Sequence, residues 1–157
     1  MRTPIISVVG AGQCDASIAR LAEAVGYELA TRGITVVCGG LGGVMEAACR
    51  GARQAGGRTI GILPGDSPAA ANPFVEIAIP TGLGEARNLI VVRAGQAVIA
   101  VAGEYGTLSE IAFALKMGKP VIGLGSWRLL KGETEDRGIV PANNALEAVE
   151  LALTALA

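Results

Sequence analysis

The chain has 157 residues, 51% of them apolar, with 13 basic and 14 acidic side chains and no histidine. A formal net charge of −1 without any Lys/Arg cluster excludes the electrostatic footprint of a nucleic-acid or anionic-membrane binder. The lack of histidine excludes every Ser-His-Asp or Cys-His arrangement and removes the commonest metal ligand, so neither a metal centre nor a resident cofactor is expected.

The length fits one domain over residues 1–157 with a sizeable core. Cys14, Cys38 and Cys49 show no C-x-x-C spacing and read as small core filler. The opening "MRTPIISVVG" lacks the charged head, long apolar run and cleavage site of a signal peptide. No apolar run approaches the ~20 residues of a membrane span, so a soluble, cytoplasmic protein is expected.

In chain order, "IISVVG" is a β-branched run ending in glycine, and Ile18, Leu21, Ala22, Val25 and Leu29 then recur at helical spacing until Gly33. Asp15 or Ser17 is the expected cap. "ITVVCGG" repeats the pattern and leads into a helix from about Gly43 to Ala55. "RTIGILPG" is a third strand, "VEIAIP" a fourth, "EARNLIVVRAG" a helix, "AVIAVAG" a fifth strand and "TLSEIAFALKMG" a helix. Strand "PVIGLG" is expected to close the core, and the polar excursion "SWRLLKGETEDRG" to form a rim carrying Trp127. A last helix places Leu146, Val149, Leu153 and Leu156 on one face. Thr107 and Glu110 fit the S/T-x-x-E pattern of a capping box.

Near-continuous apolar strands alternating with amphipathic helices predict an α/β fold, a doubly wound, Rossmann-like parallel sheet in three layers. In such folds the ligand lies outside the carboxyl ends of the strands, which selects "GAGQCD", "CGGLGGVME", "LPGD", "AGEYGT" and "GLGSW". The candidate ligand residues are therefore Gly10, Gly12, Gly40, Gly42, Gly43, Met45, Gly103, Glu104, Gly106 and Thr107. A dinucleotide reading fails: Asp15 stands where a third glycine belongs, and the second strand ends without an acidic residue for a ribose. Four glycines around Leu41 at a strand end suit a phosphate, since only glycine lets an oxyanion reach the amides of a helix start freely. Two such turns on one crevice predict a single monophosphate or a ligand held between two loops. The competing expectation is that the glycines only make turns.

"CGGLGGVME", "GGRTIGILP", "EARN" and "AGEYGTLSE" together resemble the LONELY GUY-type phosphoribohydrolases, often labelled "possible lysine decarboxylase", and the related Rossmann-like nucleotide-binding proteins. Arg87 precedes Glu110 by 23 residues, the spacing of the family's arginine and final glutamate. The resemblance implies cleavage of the N-glycosidic bond of a nucleoside 5′-monophosphate, with Glu110 and Arg87 catalytic and Gly103, Gly106 and Thr107 on the phosphate. An oxocarbenium-like state would be stabilised by the carboxylate of Glu110, and a nearby Arg87 is expected to keep that carboxylate ionised. The resemblance also implies a homodimer near the helix holding Leu89, Ile90, Val91 and Val92, with a homotetramer as the other oligomer. Decarboxylation with pyridoxal phosphate is not expected, because Lys116, Lys119 and Lys131 occupy no clear strand-end position.

The sequence departs from the family at three places: Ala102-Gly103-Glu104 stands for Pro-Gly-Gly, Arg87-Asn88 for an arginine–lysine pair, and Glu46 for a glycine. The same departures suit relatives that bind without cleaving, among them proteins resembling the molybdenum cofactor carrier. Two functions follow: a phosphoribohydrolase, or a non-catalytic carrier or sensor of a nucleotide or molybdopterin-type ligand.

Overall fold

The computed structural model describes residues 2–157. Strands β1 (Ile5–Gly10), β2 (Thr35–Cys38), β3 (Thr59–Leu63), β4 (Ile77–Pro80), β5 (Ala97–Val101) and β6 (Val121–Leu124) alternate with helices α1 (Ala16–Thr31), α2 (Val44–Gln54), α3 (Arg87–Ala94) and α4 (Tyr105–Lys116). Two short strands, β7 (Leu129–Lys131) and β8 (Thr134–Asp136), pair antiparallel, and β9 (Ile139–Ala142) and α5 (Ala145–Thr154) complete the chain. The main sheet has seven strands, all parallel, in the order β4-β3-β2-β1-β5-β6-β9. The chain runs outward from β1 in one direction and returns to β5 on its other side, so the crevice of a doubly wound sheet opens between β1 and β5.

Alternate strand residues face opposite layers. Ile6, Val8, Val36, Ile99 and Val101 join α1, α2 and α5 in one core, while Val9, Val37, Val98 and Ala100 join α3 and α4 in the other. Both faces are thus covered, which is why the strands carry almost no polar residues. Ser7, fully buried on β1, donates its hydroxyl to the carbonyl of Val91 at 2.7 Å and so satisfies itself on α3. Val91 and Val92 bury completely, leaving Leu89 and Ile90 half-exposed.

Three expectations need correction. "PVIGLG" does not close the sheet: β9, formed by "IVPA" after the polar excursion, adds the edge strand. The excursion itself is a β-hairpin, because Gly132 with φ of 64° supplies its turn. The last helix buries Ala145, Ala148, Val149 and Ala152 and leaves Leu146 46% exposed. Small residues take most of that face, and Leu151 and Leu153 pack against the same core only partly buried.

The closest approach in the fold is between α1 and α2. A Cβ built on Gly26 would lie 1.9 Å from the carbonyl oxygen of Ala48, and one on Gly51 would lie 1.9 Å from that of Glu23. The two backbones therefore touch, with Ala22, Ala48 and Ala52 filling the flanks. Gly51→Ala should destabilise the fold by about 1–3 kcal/mol through overpacking. Gly65→Ala, where a Cβ meets nothing within 4 Å, should stay within about 0.5 kcal/mol of wild type. Urea midpoints measure both, and equal midpoints would remove this contact as a constraint.

Candidate functional site

The helix contact brings together the loops that feed α1 and α2. Asp15 caps α1 by accepting from the Ile18 amide at 2.9 Å, and Val44 donates its amide to the Ala11 carbonyl at 3.0 Å. Gly43, with φ of 61°, packs so tightly that a Cβ would sit 2.3 Å from the Ala11 oxygen. A Cβ on Gly10 would strike Val44, and one on Gly40 would strike Leu63. Gly43 serves the interlocking of two backbones, and Gly10 and Gly40 make room for the side chains of Val44 and Leu63.

Beside them, at the carboxyl ends of β1, β2 and β5, lies a cleft of about 700 Å³. Of the residues expected from sequence, Gly10, Gly12, Gly42, Met45, Arg87, Glu104, Gly106, Thr107 and Glu110 line it. Gly40, Gly43 and Gly103 are not among its lining residues: the first two pack against neighbouring backbone, and Gly103, at φ 105°, makes the turn into α4 beneath Thr107. Gln13, Gly39, Leu41, Glu85 and Asn88, with Val8, Val9 and Ala11 from the end of β1, complete the wall and were not singled out as ligand residues. Gln13, Gly39 and Leu41 fall inside the glycine-rich strand ends, so their position was a usable signal; Glu85, in a 3-10 turn over Gly84–Ala86, gave none.

Two helix starts face the cleft. At α2 the cap is Gly43, which has no side chain to satisfy the first amides, and at α4 Glu104 is the cap and makes no side-chain capping bond. The free amides and the helix dipoles give both ends a positive character. The expected capping box is therefore corrected: α4 begins at Tyr105, which places Thr107 in the first turn and Glu110 a turn deeper, out of reach of the cap.

Arg87 is held by the main chain. Its Nε donates to the Ile62 carbonyl at 2.9 Å and its Nη2 to the Gly39 carbonyl at 3.5 Å, while Nη1 donates to the side chain of Asn88. Asn88 in turn donates to Ser109 Oγ at 3.3 Å, and that hydroxyl donates to the Gly106 carbonyl at 2.6 Å. Where the family pattern has a second cation, this chain has a buried amide that ties the start of α3 to the first turn of α4. None of the three lysines lines the cleft. Lys119 donates to the carbonyls of Val92 and Arg93 and so closes the end of α3.

Thr107 and Glu110 are 2% and 7% exposed, and neither side chain has a hydrogen-bond partner among the described residues. Glu110 also forms no ion pair with Arg87, contrary to the expectation that the arginine keeps it ionised. Burial pushes its carboxyl from the ordinary 4.5 up to about 8, against a smaller lowering by the Arg87 charge. The acid form accordingly prevails at neutral pH. Behind the glycine loop, Cys38 and Cys49 are fully buried with their sulfurs 3.5 Å apart, and Cys38 Sγ accepts from the Gly40 amide at 3.3 Å. Among the described residues no group of three or more His, Cys, Asp or Glu stands ready for a metal ion.

The Glu110 shift has a definite sign. Its pKa is raised on folding, so the folded chain holds a proton that the unfolded chain has released between about pH 4.5 and 8, and stability falls across that interval. Glu110→Gln should flatten the slope of the urea midpoint between pH 5 and pH 8. Parallel slopes for the two proteins would show that Glu110 titrates normally.

The model of the SLOG cluster4 family matches residues 3–149. The molybdenum cofactor binding protein of Rippkaea orientalis superposes with a TM-score of 0.90 at 37% identity, covering 100% of this chain and 99% of that one. The molybdenum cofactor carrier protein of Chlamydomonas reinhardtii superposes with a TM-score of 0.85 at 33% identity, covering 98% and 99%. An uncharacterized protein of Archaeoglobus fulgidus is 48% identical over 124 residues, which is 79% of this chain and 82% of the relative. With the strand order, the interlocked glycine loops and the match over nearly all of its length, the chain belongs to the SLOG cluster4 family.

Proposed function

We propose that this protein is a non-catalytic carrier of a phosphate-bearing pterin ligand of the molybdenum cofactor type, held in the cleft between β1 and β5. One observation carries the reading: Thr107 and Glu110 are more than nine-tenths buried, face the cleft and lack a protein partner. No fully buried side-chain oxygen or nitrogen among the described residues lacks a partner, so the polar atoms of these two residues are open to the cleft, where a bound molecule can pair with them. The full-length likeness to two cofactor-binding proteins supports the identity of that molecule.

The same site is poorly equipped for glycoside hydrolysis. A carboxylate must carry negative charge to stabilise an oxocarbenium-like state, whereas Glu110 is held as the acid by burial. Arg87 is spent on backbone carbonyls and does not anchor it. A neutral acid is suited to a different task, donating a hydrogen bond to an acceptor on the ligand. The α4 geometry sets the distance: Thr107 and Glu110 share a face one turn apart, ~4.5 Å along the helix. A phosphate at the amides of Gly106 and Thr107 thus leaves Glu110 to meet an atom about one ring further in. Glu85 and Glu104 on the cleft wall disfavour a ligand with several phosphates, and a single phosphate ester fits best.

Self-association is part of the proposal. Helices α3 and α4 pack on each other and leave Leu89, Ile90 and Phe113 half-buried or exposed, an apolar face that a second copy would cover. Sedimentation velocity should give a species larger than one chain, and a strictly monomeric protein at micromolar concentration would contradict it.

Molybdenum cofactor released from a molybdoenzyme and passed over the purified protein should be retained on ultrafiltration. Gly106→Asp adds a carboxylate where a Cβ meets nothing within 4 Å, so it should fold normally and lose at least tenfold in retention. AMP should release no adenine. Adenine release that disappears in Glu110→Gln would overturn the carrier reading in favour of the hydrolase, and failure to retain the cofactor would overturn it outright.

A further inference from the structure

A second cleft, of about 610 Å³, opens beside the first at the carboxyl ends of β6 and β9, walled by the β7–β8 hairpin. Nothing in the proposed function uses it. Its apolar part is the Trp127 indole with Ile139, Pro141 and Ala142, and its polar part is four charged side chains from the hairpin and its flanks. Two of those four neutralise each other: Arg128 donates to Glu135 Oε1 from Nε at 2.9 Å and from Nη2 at 2.8 Å. The other two have capacity to spare. Asp136 uses Oδ1 to accept from the Gly138 amide at 2.8 Å, and its second oxygen has no protein partner among the described residues. Arg137 makes no hydrogen bond or ion pair among them.

The indole is fixed before any ligand arrives. Trp127 Nε1 donates to the Glu104 carbonyl at 3.3 Å, and the ring stands 5.8 Å from that of Tyr105 at an interplanar angle of 31°. A ring immobilised in this way loses little entropy when a flat molecule stacks on it. Stacking alone accepts any aromatic ring, so the charged pair decides the rest. A free carboxylate oxygen accepts from adjacent N–H groups, and a free guanidinium donates as a planar fork to a carbonyl and a ring nitrogen. The heterocycle that offers both edges is a fused 2-amino-4-oxopyrimidine: its ring N–H and amine suit the carboxylate, and its carbonyl and ring nitrogen suit the arginine, the pairing by which arginine reads guanine. Adenine offers an amine but no ring N–H beside a carbonyl.

We propose that this cleft is a binding site for a fused 2-amino-4-oxopyrimidine ring, stacked on Trp127 and read by Asp136 and Arg137. The site is a separate cleft, meeting the first at the Trp127–Glu104 bond, and does not rest on the carrier reading. Guanine and pterin share this ring chemistry, and the test separates them.

Trp127 is the only tryptophan in the chain, so its emission reports on this cleft and, through the bond to the Glu104 carbonyl, on the start of α4. Titration of the purified protein with guanosine, which carries no phosphate, should quench that emission saturably, and adenosine should bind at least tenfold more weakly. Unsubstituted pterin, followed by calorimetry because it fluoresces, tells the two sources apart: the tighter of the two identifies the ring. Arg137→Ala alters an exposed side chain with no hydrogen bond or ion pair among the described residues and should weaken binding of the tighter ring at least tenfold; Asp136→Asn keeps an oxygen for the Gly138 amide and should do the same. Gly106→Asp, in the other cleft, should leave this binding unchanged. Absence of binding by both rings at millimolar concentration would overturn the site. So would binding that survives both hairpin variants or disappears with Gly106→Asp.

Discussion

Everything distinctive in this molecule depends on two helices approaching until their backbones touch. Gly26 and Gly51 leave no room for a Cβ between α1 and α2, and that contact carries the two preceding loops toward each other. The Val44 amide then reaches the Ala11 carbonyl, and Gly43 nests against Ala11 and Gly12. Glycine in a helix costs about 1 kcal/mol relative to alanine, a cost offset here by close packing that no larger residue permits. The result is a cleft floor made largely of main chain, where amides are available to a ligand and side chains are not.

Charge on the cleft follows from the same economy of side chains. Arg87 is the one cation on its wall, facing Glu85, Glu104 and Glu110. A wall with three ionised carboxylates would repel any phosphate. Burial of Glu110 removes one of them by holding it as the acid, and Glu104, although it lines the cleft, is exposed to solvent, where its charge is screened. On the proposed reading, the attraction for an anion would come from two helix starts rather than from ionic side chains. Such a site would, on that reading, hold one phosphate group gently, as a carrier that releases its ligand requires.

Most of the fold was legible because β-branched strands and amphipathic helices alternate with different periods. Elements failed where size, rather than hydrophobicity, decided the outcome. On α5 the alanines bury and Leu146 does not, and a hydropathy pattern ranks leucine above alanine. β9 was hidden because "IVPA" is short and contains a proline, which an edge strand tolerates. At the site, the glycine-rich strand ends led to seven of the lining residues and the resemblance to Arg87 and Glu110, yet the reading of Glu110 as a cap or an ion-pair partner was wrong in both forms. The cap failed because α4 starts at Tyr105. The ion pair failed because Arg87 turns to the carbonyls of Ile62 and Gly39, and no linear spacing reports which of two acceptors an arginine will choose.

The central claim is that the amides at the starts of α2 and α4 form the anion site. Amide resonances followed while inorganic phosphate is added to isotopically labelled protein test this residue by residue. The account predicts saturable shifts of the amides of Met45, Gly106 and Thr107, with those of the β7–β8 hairpin unmoved. Saturable shifts that fall elsewhere, or none at all at these three positions, would contradict it.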